Sequence, residues 1–396
     1  MRLELERRPA RGAGADALGI AIALLASLAV GVLLFLALGV DPLRALYVYF
    51  VEPLTDPWSL HELAIKATPL ILIGVGLSVC FRSNNWNIGA EGQFIAGAIA
   101  ASAVPVLTPA EGWWVLPAML VAGMAGGAAW AAVPGILKAR LGTNEILVSL
   151  MLVYVAELLL DWLVRGPWRN PQGFNFPETR SFPPDAIIPE IVGQGAFGGR
   201  ANWGLVIALV VAVLTWIMLT RTLRGFEVTV TGESPRAARF AGFSAARTTV
   251  FAFLFSGALA GLAGTIEVSG AIGQLRPSIS PGYGFTAIIV AFLGRLNPLG
   301  IVVAGLLLGL TYIGGEGAQM ALGLTERFAR VFQGVLLFSL LAADTLVRYR
   351  PRLRSSGRGT SGRGASGSGP SGRGPSGAPV APPRSVNPSL AGRAGA

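Results

Sequence analysis

Apolar residues fill most of this chain in long stretches separated by short polar breaks. The stretches lie at about 17–40, 63–81, 89–108, 113–137, 146–164, 203–220, 248–269, 283–294, 299–317 and 329–347. A helix that crosses a bilayer needs roughly 20 apolar residues at a rise of about 1.5 Å each. The pattern therefore predicts an all-α polytopic membrane protein with about ten transmembrane helices. The 283–294 run is short and the 299–317 run is rich in glycine. Both are read as short or broken helices, which are tolerated where they line protein or a water-filled cavity. The 17–40 run follows Arg7, Arg8 and Arg11. It is longer than the roughly 7–15-residue apolar core of a signal peptide, so it is read as a retained span.

Composition supports this reading and narrows it. Only 13% of the 396 residues are charged and 53% are hydrophobic, against about 25% charged in ordinary globular domains. So sparse a charge cannot cover a soluble protein of this size. The net charge of +10 is misleading as a partner signal, because eight arginines and no acid follow Tyr349. The rest of the chain is close to neutral, which removes the case for a nucleic-acid partner.

Basic residues accumulate in cytoplasmic loops. With the N-terminus inside, 22 of the 31 lysines and arginines fall on the inner side and 9 on the outer side. Ten spans with both termini cytoplasmic satisfy this distribution. The chain then divides into a cytoplasmic N-terminal tail (1–16), a transmembrane domain (17–349) and a disordered Gly/Ser/Pro/Arg-rich cytoplasmic tail (350–396), whose composition cannot bury a core. Within the transmembrane domain, 165–202 forms an outer loop and 221–247 an inner one. Anionic membrane lipids attract a basic tail, although a merely solvated tail is the plainer account.

Several chemistries are absent. The single Cys80 and single His61 rule out a disulfide framework and a Cys/His metal site. The only lysines, Lys66 and Lys138, follow Ile65 and Leu137, so no Gly-Lys pair exists to build a nucleotide-binding loop. No catalytic residue, metal site or cofactor is predicted, the chain is not read as an enzyme, and any ATP it depends on is bound by another subunit.

Three polar groups stand out. Asn87, Glu91 and Gln93 lie between the second and third spans, and Asn144 and Glu145 open the fifth. Each group reads equally as helix caps or as residues of a polar pathway, since a carboxylate inside a span is costly without a role. Among Glu157, Asp161, Glu267, Glu316 and Asp344, Glu157 and Glu267 lie deepest in their spans. Gly257, Gly261 and Gly264 form a small-residue face suited to close helix packing. In the inner loop, Ser234 and Pro235 are placed to start a short helix running to Phe243. Its small residues suit docking into a groove on another protein, or simply an ordinary surface helix.

The order and spacing of five segments resemble a known family. They are Asn87–Gln93 (NIGAEGQ), Gly142–Glu145 (GTNE), Gly232–Gly242 (GESPRAARFAG), Ser256–Gly264 (SGALAGLAG), and Gly282–Phe285 followed by Leu293–Gly300 (LGRLNPLG). Together, over about residues 17–349, they resemble the permease subunits of bacterial ABC importers for nucleosides and simple sugars, in particular the longer permease of the nucleoside-type systems. Trp86 stands where that family more often has Phe, and the tail after 350 has no counterpart.

The resemblance implies a multi-pass protein of the bacterial cytoplasmic membrane. It implies three partners: a cytoplasmic ABC ATPase, a second and shorter permease, and an extracytoplasmic substrate-binding lipoprotein. Glu233, Ser234, Ala237, Ala238, Ala241 and Gly242 then belong to the helix that couples the ATPase to the spans. Asn87, Glu91, Gln93, Asn144, Glu145 and Tyr283 are candidates for the translocation pathway, and they suit any hydroxyl-bearing solute. The alternative is an ion-coupled secondary transporter of a small polar solute, with Glu157 or Glu267 as its titrating group.

Overall fold

The computed structural model describes residues 2–7, 39–108, 111–191, 201–323 and 349–354, with scattered residues between 21 and 37 and between 331 and 339. The 17–40 and 329–347 runs fall largely outside the described residues, as does the tail beyond 354. The chain divides into two units, residues 6–350 and residues 1–5 with 351–396.

A short helical lead-in, Pro42–Leu46, Tyr47–Val51 (a π turn) and Glu52–Thr55, precedes ten helices. They are α1 (Pro57–Arg82), α2 (Ala90–Leu107), α3 (Val115–Leu141), α4 (Glu145–Arg165), α5 (Gly204–Arg221), α6 (Leu223–Glu233), α7 (Pro235–Phe240), α8 (Ala245–Ile266, extended by the π turn Glu267–Ile272), α9 (Tyr283–Leu293) and α10 (Pro298–Leu322). Among the described residues, seven helices are long and apolar enough to cross a membrane: α1 to α5, α8 with its π turn, and α10. Two of the ten expected spans, 17–40 and 329–347, lie largely outside these residues. The 283–294 run forms α9, which is short as expected: its 11 residues reach only about 17 Å, roughly half the thickness of a bilayer core.

One element has no counterpart in the apolar pattern. Arg2–Arg7 and Tyr349–Arg354 form a two-stranded sheet. The first segment, Arg-Leu-Glu-Leu-Glu-Arg, alternates polar and apolar residues, a two-residue period that a search for long apolar runs passes over.

Local chemistry sets the helix starts. Asp56 caps α1 through the Ser59 N–H (3.0 Å) and hydroxyl (2.9 Å), with Pro57 at the first position. Those bonds hold its carboxyl below the usual carboxylate range. Asn144 caps α4, Asn297 caps α10 ahead of Pro298, and Ser234 caps α7 ahead of Pro235.

Helix α1 is the hub. Every residue from Ala67 to Phe81 is buried, as expected of a helix that is apolar all round. It contacts α8, α10, α9 and α5, while α8 also packs on α2 and α3. The α3–α8 contact joins two glycine pairs. A Cβ on Gly127 would strike the Gly257 carbonyl, and one on Gly261 would strike the Gly123 carbonyl. Across the other side of α8, Gly97 of α2 meets the Gly261 backbone, and Gly264 meets the Phe94 carbonyl. Backbones approach this closely only without side chains between them.

Gly261→Ala is expected to destabilise the protein by about 1–3 kcal/mol through overpacking, read as a lower unfolding midpoint of detergent-purified protein. Gly317→Ala is the control, since a Cβ there makes only ordinary contacts at 3.8 Å with Val48, and the midpoint should hold.

Candidate functional site

The polar segment between α1 and α2 does not form a surface loop. Residues 85–89 are in neither helix nor strand, with Asn85, Asn87 and Gly89 buried and Asn84 and Trp86 exposed. Arg82 at its start donates through Nε to the Leu296 carbonyl (2.9 Å), at a turn where Arg295 and Leu296 both have positive φ. Trp86 stacks near Phe292 of α9, whose ring also stacks on Phe81. Five residues further on, Glu91 reaches the other end of α9. The segment thus runs the length of that short helix.

Asn87 and Gln93 bind each other. The Asn87 amide donates to Gln93 Oε1 (2.9 Å) and to Ser256 Oγ of α8 (3.1 Å), and its oxygen accepts from Gln93 Nε2 (2.9 Å) and the Gly89 N–H (3.2 Å). Both side chains are buried, and their bonds tie α2 to α8.

Glu91 is not a cap of its own helix: α2 has no side-chain cap. Instead its carboxylate accepts the Gly284 N–H at 2.6 Å, capping α9 from a position 193 residues away in sequence. Ser280 Oγ accepts the Gly282 and Tyr283 N–H groups (3.1 and 3.0 Å). Together they satisfy donors that the first turn of a helix leaves free. A Cβ on Gly284 would collide with the Glu91 backbone, so the two helix ends meet directly.

Asn144 and Glu145 sit elsewhere. Asn144 accepts the Ile146 and Leu147 N–H groups (3.0 and 3.4 Å). Glu145 pairs with Lys138 across the α3–α4 turn and accepts the Trp86 N–H (3.3 Å). Their bonds are those of a cap and a clamp on the 85–89 segment.

Tyr283 joins a different group. It is fully buried, its ring 6.0 Å from Phe94 and 5.7 Å from Tyr312. Tyr312 and Thr286 share a hydrogen bond of 2.9 Å. Lys66 and Glu316 pair at 3.3 Å, and Glu267, at the start of the π turn, is buried. Of the two deep acids expected, Glu267 is buried and Glu157 is exposed on α4. Lys66 is a functional candidate that the polar clusters of the sequence do not include. Its cost inside an apolar helix was the signal that it needs a partner.

The 221–247 loop is built from α6 and α7. Glu227 is buried, accepts from Arg224 (2.8 Å) and from Thr248 of α8 (2.9 Å), and so fixes α6 to the helical body. Ala238 is turned inward and fully buried, whereas Glu233, Ser234, Ala237, Ala241 and Gly242 are exposed. Ala238 therefore packs α7 down onto the rest of the chain. The residue missed in sequence is Phe240, 94% exposed. Gly242 ends α7 at φ 83°, with the Phe243 N–H returning to the Ala238 carbonyl (2.9 Å).

Glu91→Ala leaves the buried α9 donors unpaired and is expected to cost about 1–3 kcal/mol. The unfolding midpoint should fall, and Glu91→Gln, which keeps an acceptor, should recover part of it.

Comparisons with known proteins agree with this architecture. The model of the family described as branched-chain amino acid transport system / permease component matches residues 59–341. The chain is 37% identical over 344 residues to the glucose ABC transporter permease protein of Haloferax volcanii, covering 85% of this chain and 90% of that one. It is 28% identical to the guanosine ABC transporter permease protein of Bacillus subtilis, covering 85% and 96%. It is 29% identical to a nucleoside ABC transporter permease protein of Lactococcus lactis subsp. cremoris, covering 80% and 88%. The chain belongs to this family and is a multi-pass membrane permease of the ABC transporter class.

Proposed function

We propose that this permease forms part of the translocation pathway of an importer for a nucleoside or a simple sugar, in the cytoplasmic membrane of a bacterium. The relatives are named for glucose, guanosine and nucleosides, all neutral solutes rich in hydroxyl groups. The chain has no Gly-Lys pair with which to hold nucleotide phosphates, so a separate cytoplasmic ABC ATPase supplies the energy. A second permease completes the pathway, and an extracytoplasmic binding lipoprotein delivers the solute. Both termini and the 221–247 loop then face the cytoplasm.

The observation that carries the coupling assignment is the exposed face of α7. A helix fixed at its start by Ser234 and at its end by Gly242 holds the Phe240 ring almost wholly in solvent. An aromatic this exposed on a capped helix is suited to a pocket on a partner, where such residues contribute much of the binding energy. Glu233, Ser234, Ala237, Ala241 and Gly242 frame it. The same loop abuts the rest of the site, since a Cβ on Gly232 would strike the Arg82 carbonyl, and the Arg82 side chain holds the turn after α9. ATP-dependent closure acts on the spans to the extent that the ATPase states contact this loop differently.

Phe240→Glu is expected to leave membrane insertion intact and to lower ATP-driven uptake in cells at least tenfold. The measurements are immunodetection of the membrane-inserted chain and uptake of radiolabelled solute. Normal uptake in this variant would sink the docking assignment.

A further inference from the structure

The Tyr283 hydroxyl is buried and has no hydrogen-bond partner among the described residues. A tyrosine that merely fills a core seldom strands this group, because a buried phenol usually finds a partner. The Tyr283 ring lies 5.7 Å from that of Tyr312, whose hydroxyl shares a hydrogen bond with Thr286.

We propose that Tyr283, Glu267, Thr286, Tyr312 and the Lys66–Glu316 pair bind the hydroxyl groups of a sugar ring, in a free sugar or in the ribose of a nucleoside. The inference rests on the importer reading and adds to it where in this chain the solute is held.

The proposed groups come from four separate elements: α1 carries Lys66, the π turn Glu267, α9 Tyr283 and Thr286, and α10 Tyr312 and Glu316. Polar groups run inward from the exposed Glu316, through the half-buried Lys66 and Tyr312, to the fully buried Tyr283. This gradation sets the unpartnered hydroxyl at the buried end of the polar set. π turns recur at functional sites, and this one opens with the buried carboxylate of Glu267.

The donor and acceptor types also match a polyol. A sugar hydroxyl both donates and accepts, so it can bridge a carboxylate, an ammonium and a phenol at once. The Tyr283 ring lies 6.0 Å from that of Phe94 and 5.7 Å from that of Tyr312, so aromatic rings flank the hydroxyl-bearing residue.

The test uses the transporter assembled with its partner subunits in membrane vesicles. Uptake is measured for guanosine against 2′-deoxyguanosine and 3′-deoxyguanosine, and for D-glucose against its monodeoxy analogues. A site that pairs with a hydroxyl discriminates against the analogue lacking it. In the wild type, at least one deoxy analogue should be transported about tenfold more slowly than its parent. Tyr283→Phe should slow the parent solute and bring that ratio close to one. A general folding defect would slow both and leave the ratio unchanged. The guanosine and glucose arms show whether a nucleoside or a free sugar is the source of the ring. Tyr154→Phe, at an exposed position on α4, serves as the control and should keep the wild-type ratio.

ATP-driven wild-type uptake with the same discrimination in Tyr283→Phe would overturn this inference alone. Transport of none of these solutes by the wild type would overturn the sugar-ring assignment. Uptake that persists with a hydrolysis-dead partner ATPase would overturn the importer reading itself.

Discussion

The constraint on which the rest of this protein depends is that non-helical backbone enters a body made of apolar helices. Away from water, each unpaired backbone group costs free energy comparable to a lost hydrogen bond. Residues 84–89 answer this almost donor by donor. The Asn84 and Asn85 N–H groups return to the Phe81 and Cys80 carbonyls. The Trp86, Ile88 and Gly89 N–H groups go to the side chains of Glu145, Ser149 and Asn87. Glu145 and Ser149 come from α4, so that helix is needed to hold the segment between α1 and α2. The same requirement explains Glu91, which satisfies the start of α9 where that helix begins within the body.

Close backbone packing makes this arrangement rigid enough to hold. Gly89 and Gly92 let α2 lie against Ser149 and Val153 of α4, and Gly284 lets α9 meet the start of α2. Gly123, Gly127, Gly257 and Gly261 bring α3 and α8 together. At one end of α9, Arg82 ties the following turn to α1, next to the 221–247 loop. At the other end lie Tyr283 and the polar groups around it. A short helix held at both ends by polar clamps thus connects the two regions given functional roles here.

Much of the fold is legible in the sequence because its causes are local. A spanning helix satisfies its own backbone, so length and apolarity alone mark α1 to α5, α8 and α10. Caps such as Asn144, Ser234 and Asn297 bond within three residues of themselves and can be read the same way. The Gly257–Gly261 face is visible too, although its partner glycines on α3 are not marked as such. Family membership follows from the order of short motifs that these helices carry.

Other features depend on which helix faces which. Glu157 and Glu267 look alike in sequence, but one is exposed on α4 and the other is buried at the start of the π turn. Glu91 and Gly284 are 193 residues apart, and nothing local predicts their bond. Ala238 and Phe240 differ in exposure because α7 packs on α6 by one side only. The sequence by itself determined the helices, their caps and the family, since period, length and capping chemistry act over a few residues. Only the tertiary structure decided which polar side chains are spent on holding irregular backbone and which converge around Tyr283. That division depends on distances between helices, and those are set by side chains packing across the whole body.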